Sequence, residues 1–451
     1  MASPTVSDQS IPALVPGLDL LNHSPSVRVA WDFSAENYTI TTDARLYPGS
    51  EIFNSYGPKS NEEFMISYGF CLLDYPYDWF GLGFTGAVAE HIRTVKQRRT
   101  ILGQTLNGNE SERYVSPTDG QTPNSFKDDT VVCEQHYLRL SQPDPNIPDP
   151  TAPYAFSPDF LPHSSIALEN ARELAGQRID WAKSLRAFDP ESFQPICRNQ
   201  LHVLASTIIL LEKSLSDLQI LDKSHPAGDI ANERQRLAIR FREGQRELLA
   251  PAVTTLRTGL RYILDQSPEN GVLKLEYILT YFPNGMLKGY RDAVHTALGT
   301  RKANKIRGMG GEECAFTLWI CGVWLLHTSH SLNEVTPLST QVREWLPLLE
   351  RFYGRPLEQG KADGDDICST AASYYKALQL TITKHPDTFY RSGISIPLLA
   401  WCLNIIREEC VQLPNPNVAL EAEEVELVLF MEKAEGLVDE SAVGCSCSRT
   451  F

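Results

Sequence analysis

Five groups of residues in this chain are of types that carry chemistry. The first is an Asn-His pair, Asn22 and His23 in "GLDLLNHSPSVRVAWDF", followed by Tyr56 in "GSEIFNSYGPKSNEEF" and Tyr68 in "ISYGF". A histidine beside a serine raises nucleophilic catalysis, but "NHSP" offers no nucleophile elbow and the other histidines lack motif company. Taken singly, His23 reads as a hydrogen-bonded core histidine, and the tyrosines as strand-end and helix-end aromatics. His327 and His330 in "LLHTSHS" lie three apart at a helix end with no carboxylate beside them, which suits hydrogen bonding better than a metal. Cys445 and Cys447 form a Cys-x-Cys with no third or fourth ligand after them. Gly81 and Gly83 in "WFGLGF" are a lone Gly-x-Gly and read as a turn between strands. The basic "KANKIRGMGG" has the glycines and charge to touch a phosphate, yet in so acidic a chain it reads as a solvated loop.

The elements that must position the first group read as follows. Val27, Val29, Trp31 and Phe33 alternate with Arg28, Ala30 and Asp32, the period of a half-buried strand, and "YTITT" continues as a second strand after a turn at "SAEN". Pro48-Gly49 suits a type II turn before a short strand "EIFN". Ser60 and Glu63 form a capping box, and Gly69 ends the ensuing helix after about two turns. From 104 to 163 the chain is polar and broken by Pro143, Pro145, Pro148, Pro150, Pro153, Pro158 and Pro162, a mostly irregular linker or insertion. Beyond it Leu201, Leu204, Ile208, Leu211, Leu215 and Leu218 form one apolar helical stripe. A longer helix follows that Pro251 should kink or split. Further helices are expected near 310–327, 340–353, 364–385 and 395–412, with a last acidic one around 419–436, together a bundle-like second domain.

A chain of 451 residues is too long for one core. Its 56 acidic against 41 basic side chains, net −15, disfavour a surface that tracks phosphates and favour a basic partner where charge is used. No apolar run reaches the roughly 20 residues a bilayer demands, and "MASPTVSDQS" lacks the features of a secretory signal, so cytoplasm or nucleus is expected. The ten cysteines are scattered without the spacing of a disulfide framework.

In their order and company, "DLLNHS", "GSEIFNSYGPKSNEEF" and "ISYGF" resemble the carboxy-terminal half of a SET-domain protein methyltransferase, in the subgroup typified by the Rubisco large-subunit methyltransferase and relatives acting on ribosomal proteins and actin. The motifs cover residues 11–74, and a looser likeness of helix pattern, with phrases such as "RLAIRFREGQRELL", covers 163–436. The resemblance implies an α+β chain: the carboxy-terminal part of a β-rich SET domain over 11–103, the Pro-rich linker over 104–163, an all-α helical substrate-binding domain over 164–436 and a flexible tail over 437–451. In that family a segment with a Gly-x-Gly cofactor loop precedes the Asn-His motif, and this chain is expected to lack it. S-adenosylmethionine is the implied cofactor. Asp19, Leu20, Leu21, Asn22 and His23 would hold it on a segment that crosses under its neighbour, with Tyr68, Gly69 and Phe70 along its adenine. Tyr56 matches the family's active-site tyrosine. The implied reaction methylates a lysine of a protein substrate, a basic one such as a ribosomal protein or histone, with no metal, nucleic acid or membrane involved. Because a free lysine, with a pKa near ~10.4, is protonated at neutral pH, such a site needs desolvation and alignment more than a strong base. The competing expectation is a catalytically inactive, shortened SET protein serving as an interaction module.

Overall fold

The computed structural model describes residues 5–6, 9–10, 15–33, 37–43, 45–57, 59–73, 75, 78–101, 133–140, 154–157, 159–176, 197–224, 232–280, 287–299, 309–329, 337–356, 365–384, 393–414 and 425–431. His330, Cys445, Cys447, the "KANKI" stretch and the tail 437–451 lie outside the described residues.

Strands β1 (Thr5–Val6) and β2 (Gln9–Ser10) form a minimal pair. β3 (Val29–Phe33) and β4 (Tyr38–Thr42) form a two-stranded antiparallel sheet with Trp31 opposite Ile40. The period-2 reading holds at residue level: Val27, Val29 and Trp31 are half-buried while Arg28, Ala30 and Asp32 are exposed. Gly49 at φ 85° and the Ser50 N–H to Tyr47 carbonyl bond of 3.0 Å make the expected turn. The strand expected at "EIFN" shrinks to a single parallel bridge between Asn54 and His23. Helix α1 (Asn61–Tyr68) carries both halves of its capping box, and Gly69 closes it at φ 80°, ψ 22°.

β5 (Trp79–Thr85), β6 (Cys133–Leu140) and β7 (Tyr154–Phe156) follow as an antiparallel sheet, with Leu82 opposite His136 and Leu138 opposite Phe156. Two expectations are corrected here. Gly81 and Gly83 lie within β5 rather than in a turn. The described residues of the Pro-rich stretch 104–163 include two strands and the start of a helix: Pro143 to Pro153 fall between β6 and β7, where no ladder N–H is needed, and Pro162 sits in the first turn of the helix at 160–168. Helix α2 (Gly86–Ile101) packs on this sheet and α3 (Phe160–Leu168) meets it through Phe160, stacked on Phe84 and Phe156, while the short α4 (Ala171–Gly176) follows.

α5 (Arg198–Ser224) and α6 (Glu233–Asp265) form a long hairpin, with the Leu201, Leu204, Ile208, Leu211 and Leu215 stripe buried as expected. α6 runs unbroken through Pro251, so the helix is not split there. The proline faces solvent, while Leu248, Leu249, Ala252 and Val253 are buried on either side, so packing offsets the missing backbone bond.

Then come β8 (Val272–Lys274), α7 (Leu275–Thr280), α8 (Leu287–Ala297), α9 (Met309–Thr328), α10 (Pro337–Tyr353), α11 (Asp365–Lys384), α12 (Ile396–Glu409), β9 (Cys410–Pro414) and β10 (Val425–Phe430). The carboxy-terminal part is therefore not all-α: β10 pairs antiparallel with both β8 and β9. Of the acidic helix expected at 419–436, the described residues Val425–Phe430 form this central strand instead. Its side chains alternate between two cores, Val428 and Phe430 joining α5 and α6 on one face, Leu429 and Met431 joining α9 to α12 on the other. A strand buried on both faces reads as a continuous apolar run, which mimics a helix segment. The architecture is mixed helical with small sheets, an α+β arrangement. No helix among the described residues is long and apolar enough to cross a membrane.

Candidate functional site

A turn, a bridge and a short helix bring together residues that lie far apart in the chain. Residues 15–21 form a helical turn in which the Asp19 and Leu18 N–H groups bond the Val15 carbonyl, and the Asp19 carboxylate accepts the Val15 N–H at 2.5 Å. The chain then straightens at Asn22 and His23 and lies beside Asn54: the Asn22 carbonyl accepts the Asn54 N–H at 2.8 Å, and the Asn54 carbonyl accepts the Ser24 N–H at 3.0 Å. This ladder sets Tyr56 beside His23. The Tyr56 N–H donates to His23 Nδ1 at 3.1 Å, and the Tyr56 hydroxyl donates to the Leu21 carbonyl at 2.7 Å.

α1 supplies the other wall. Its spacing places Phe64 and Tyr68 on one face, and the left-handed turn at Gly69 swings Phe70 back toward them. Tyr68 stacks on Tyr56 at 4.7 Å between ring centroids, and His23 stacks on Tyr56 at 5.2 Å. Phe64, fully buried, is the hub, 4.8 Å from His23, 5.0 Å from Phe70 and 5.7 Å from Tyr75. Phe70 completes the cluster at 6.3 Å from His23 and 6.4 Å from Tyr56.

The electrostatics follow from this packing. Burial pushes the Tyr56 phenol above its ordinary value, and the Asp19 carboxylate pushes it further. Burial raises Tyr68 as well, with Tyr56 and Glu63 adding to it. Burial lowers His23, with the Asn54 main chain opposing. At neutral pH the site therefore holds two protonated phenols and a neutral imidazole. Because Nδ1 accepts from Tyr56, the ring's proton belongs on Nε2. That Nε2 is buried and has no hydrogen-bond partner among the described residues, and the same holds for Oδ1 of Asn54. An unspent buried polar atom within a bank of aromatic carbon, with a second on the segment bridged to it, fits a flat, partly polar ligand such as a nucleoside.

Of the residues expected to form the site, Leu21, His23, Tyr56, Tyr68 and Phe70 are brought into mutual contact, with Gly69 as the turn that permits it. Asn22 enters through its main chain, while its exposed side chain turns outward to donate to Glu51 at 2.6 Å. Asp19 reaches Tyr56 through charge rather than by a hydrogen bond. The Leu20 side chain is 83% exposed and forms no wall. Phe64 and Asn54 were missed as site residues. Phe64, four residues before Tyr68 on one helix face, was legible in principle; the Asn54 bridge, 31 positions from its partner, was not.

Elsewhere, a serine and two histidines do meet. Lys96 bonds His163 at 2.9 Å, His163 bonds His136 at 3.0 Å, and His136 bonds Ser157 at 3.1 Å. An ammonium can only donate, so each ring accepts on its Lys96 side and donates onward, and His136 donates to Ser157. A histidine so arranged cannot take the serine's proton. Burial and the Lys96 charge hold His163 neutral, its pKa pushed down to about 4.

No family model matches this chain. Over short stretches it is similar to "Ribosomal lysine N-methyltransferase set10" of Schizosaccharomyces pombe, 42% identical over 73 residues, covering 16% of this chain and 13% of that protein. It is also similar to "SET domain-containing protein 4" of Homo sapiens, 43% identical over 67 residues, 14% of this chain and 15% of that protein. A third is "Protein-lysine N-methyltransferase EFM1" of Saccharomyces cerevisiae, 30% identical over 141 residues, 30% of this chain and 20% of that protein. The matches thus cover between 13% and 20% of the length of these curated relatives. The likeness is to proteins named as SET-domain proteins or lysine N-methyltransferases and is confined to these stretches.

Proposed function

We propose that this chain is an S-adenosylmethionine-dependent protein methyltransferase acting on a lysine side chain. One observation carries the reading: His23, Tyr56, Tyr68 and Phe70, drawn from three separate stretches, share one aromatic cluster in which the buried Nε2 of His23 is left unspent, as is the buried Oδ1 of Asn54 on the bridged segment. The names of the similar proteins agree with it. When bound, S-adenosylmethionine would supply a methyl group made electrophilic by the sulfonium. His23 Nε2–H would donate to an acceptor on it and Asn54 Oδ1 would accept from a donor; Tyr68, Gly69 and Phe70 would flank its adenine, and Asp19 to Asn22 would face it through main chain.

Tyr56 has a defined part in this scheme. Its hydroxyl proton is committed to the Leu21 carbonyl, and its raised pKa keeps it there at neutral pH. The oxygen is left with lone pairs only. It can therefore accept from an amine N–H and orient that nitrogen, while the rings around it exclude water and favour the neutral amine. Asp19 adds a negative charge that draws an ammonium toward Tyr56. A substrate such as a ribosomal protein or histone suits the chain's net charge of −15.

The test is calorimetric titration of the full chain with S-adenosylmethionine, followed by transfer of labelled methyl to ribosomal proteins and histones. Tyr56→Phe should retain donor affinity within about twofold and lose transfer by about 100-fold or more. Loss of affinity and transfer together would remove Tyr56 from the catalytic role. A chain that binds no donor would favour the interaction-module reading instead, for which Leu20, Tyr47, Ile66 and Leu73, each more than 60% exposed, offer apolar surface.

A further inference from the structure

Behind the cluster lies a second, wholly polar arrangement. Asn61, the first residue of α1, and Asp78, immediately before β5, are 4% and 6% exposed. The Asn61 N–H donates to Asp78 Oδ1 at 2.8 Å, and the Asn61 Nδ2 donates to Asp78 Oδ2 at 2.9 Å. The same amide grips main chain in both directions: Nδ2 donates to the Leu72 carbonyl at 3.0 Å, and Oδ1 accepts the Leu72 N–H at 2.7 Å. The Trp79 N–H completes the carboxylate's partners at 3.0 Å. Every polar atom of the Asn61 side chain is thereby spent, both amide hydrogens included.

The consequence is geometric. Tyr68 to Leu72 is fastened at both ends, at Gly69 by bonds from its N–H to the Phe64 and Met65 carbonyls, and at Leu72 by Asn61. Phe70 lies between the two fixings, and its ring position against Phe64 and His23 follows from them. Asp78 in turn ties the arrangement to β5 and lies against α6, where a Cβ added to Gly244 would stand 3.6 Å from its carboxylate. Burial pushes the Asp78 carboxyl up, and the three N–H donors oppose that.

We propose that Asn61 and Asp78 are positioning residues of the donor site, a buried clamp that holds the Tyr68–Leu72 segment in the conformation the donor requires. The inference rests on the donor-binding reading above. A clamp of this kind works through the segment it holds, so small shifts in Phe70 and Tyr68 become losses of affinity.

The experiment uses the full chain and isosteric variants, Asn61→Asp and Asp78→Asn, beside Val342→Ala, a truncation in the core formed by α9 to α12. Asn61→Asp sets two carboxylates face to face, and Asp78→Asn sets two amide donors face to face, without changing volume. Three quantities are read: the dissociation constant for S-adenosylmethionine, hydrogen exchange at the Leu72 amide, and the thermal midpoint. Both clamp variants should weaken donor binding about tenfold or more and speed exchange at Leu72. Val342→Ala should lower the midpoint and leave the affinity unchanged. A wild-type chain that binds while the clamp variants bind equally well overturns the clamp alone. A wild-type chain without affinity overturns the donor reading and the positioning role with it, and unchanged exchange at Leu72 overturns the clamp whatever the donor does.

Discussion

His23 holds Tyr56 through one ring nitrogen and keeps the other unspent. Its Nδ1 accepts the Tyr56 N–H, which fixes Tyr56 relative to Leu21, and its Nε2 is buried with no partner among the described residues. Acceptance at Nδ1 requires the neutral imidazole. Burial lowers the pKa in the folded chain from the ordinary 6.5, so between that lower value and 6.5 the unfolded chain binds the proton and the folded one does not. The stabilisation from His23 is thus fully present above pH 6.5 and falls away as the pH drops below it toward the folded value. His23→Leu keeps the volume but strands the Tyr56 N–H, at a cost of about 1–3 kcal/mol. Urea denaturation at pH 7.5 and pH 5 should show the larger penalty at pH 7.5, where the wild-type contribution is intact. An equal penalty at both pH values would mean that the ring's neutrality is irrelevant.

At the scale of elements, α1 is only eight residues long and could not persist in isolation, since nucleation costs more than two turns return. Its ends carry it. The Ser60 hydroxyl accepts the Glu63 N–H at 3.2 Å, the Glu63 carboxylate accepts the Ser60 N–H at 3.0 Å, and Gly69 takes a φ of 80° that a side chain strains to reach. Ser60→Ala and Gly69→Ala should each cost about 1 kcal/mol. Their effects on the site should differ. Gly69→Ala acts on the turn between Tyr68 and Phe70 and should weaken donor binding more than Ser60→Ala, which acts at the far end of the helix. Calorimetry on both variants at matched stability tests the ordering.

For the whole molecule, the joints between cores matter most. Glu409, at the end of α12, accepts from Arg172 Nε and Nη2 at 2.8 and 2.9 Å and from the Tyr353 hydroxyl at 2.5 Å, so α4, α10 and α12 meet on one carboxylate. Burial alone would raise its pKa, but Arg172 and Tyr353 more than offset that and hold it low. Glu173 has longer contacts of 3.9 Å to Arg172 and 3.6 Å to Arg198, and burial pushes it up to about 7. Glu409→Ala would leave the buried Arg172 guanidinium without its short bidentate partner and with Glu173 only at 3.9 Å, and stability measured by chemical denaturation should drop by about 3–5 kcal/mol. A loss under about 1 kcal/mol would show that the joint is already hydrated or loose.

Local chemistry was legible in the chain itself. The capping box at Ser60, the glycine stop at Gly69, the alternation from Val27 to Trp31 and the stripe along α5 each depend on residues within a few positions of one another, and each is where the sequence puts it. The grouping of Asn22, His23, Tyr56 and Tyr68 was legible only as a resemblance, since nothing local says that two tyrosines twelve positions apart will stack. Tertiary structure decided the rest. β6 finds β5 across roughly fifty residues, β10 lies between β8 and β9, and "VELVLF" becomes a strand because cores on both of its faces consume its side chains. Sequence records a side chain's preference for burial; which neighbour buries it depends on loop closures and packing that no window of the chain contains.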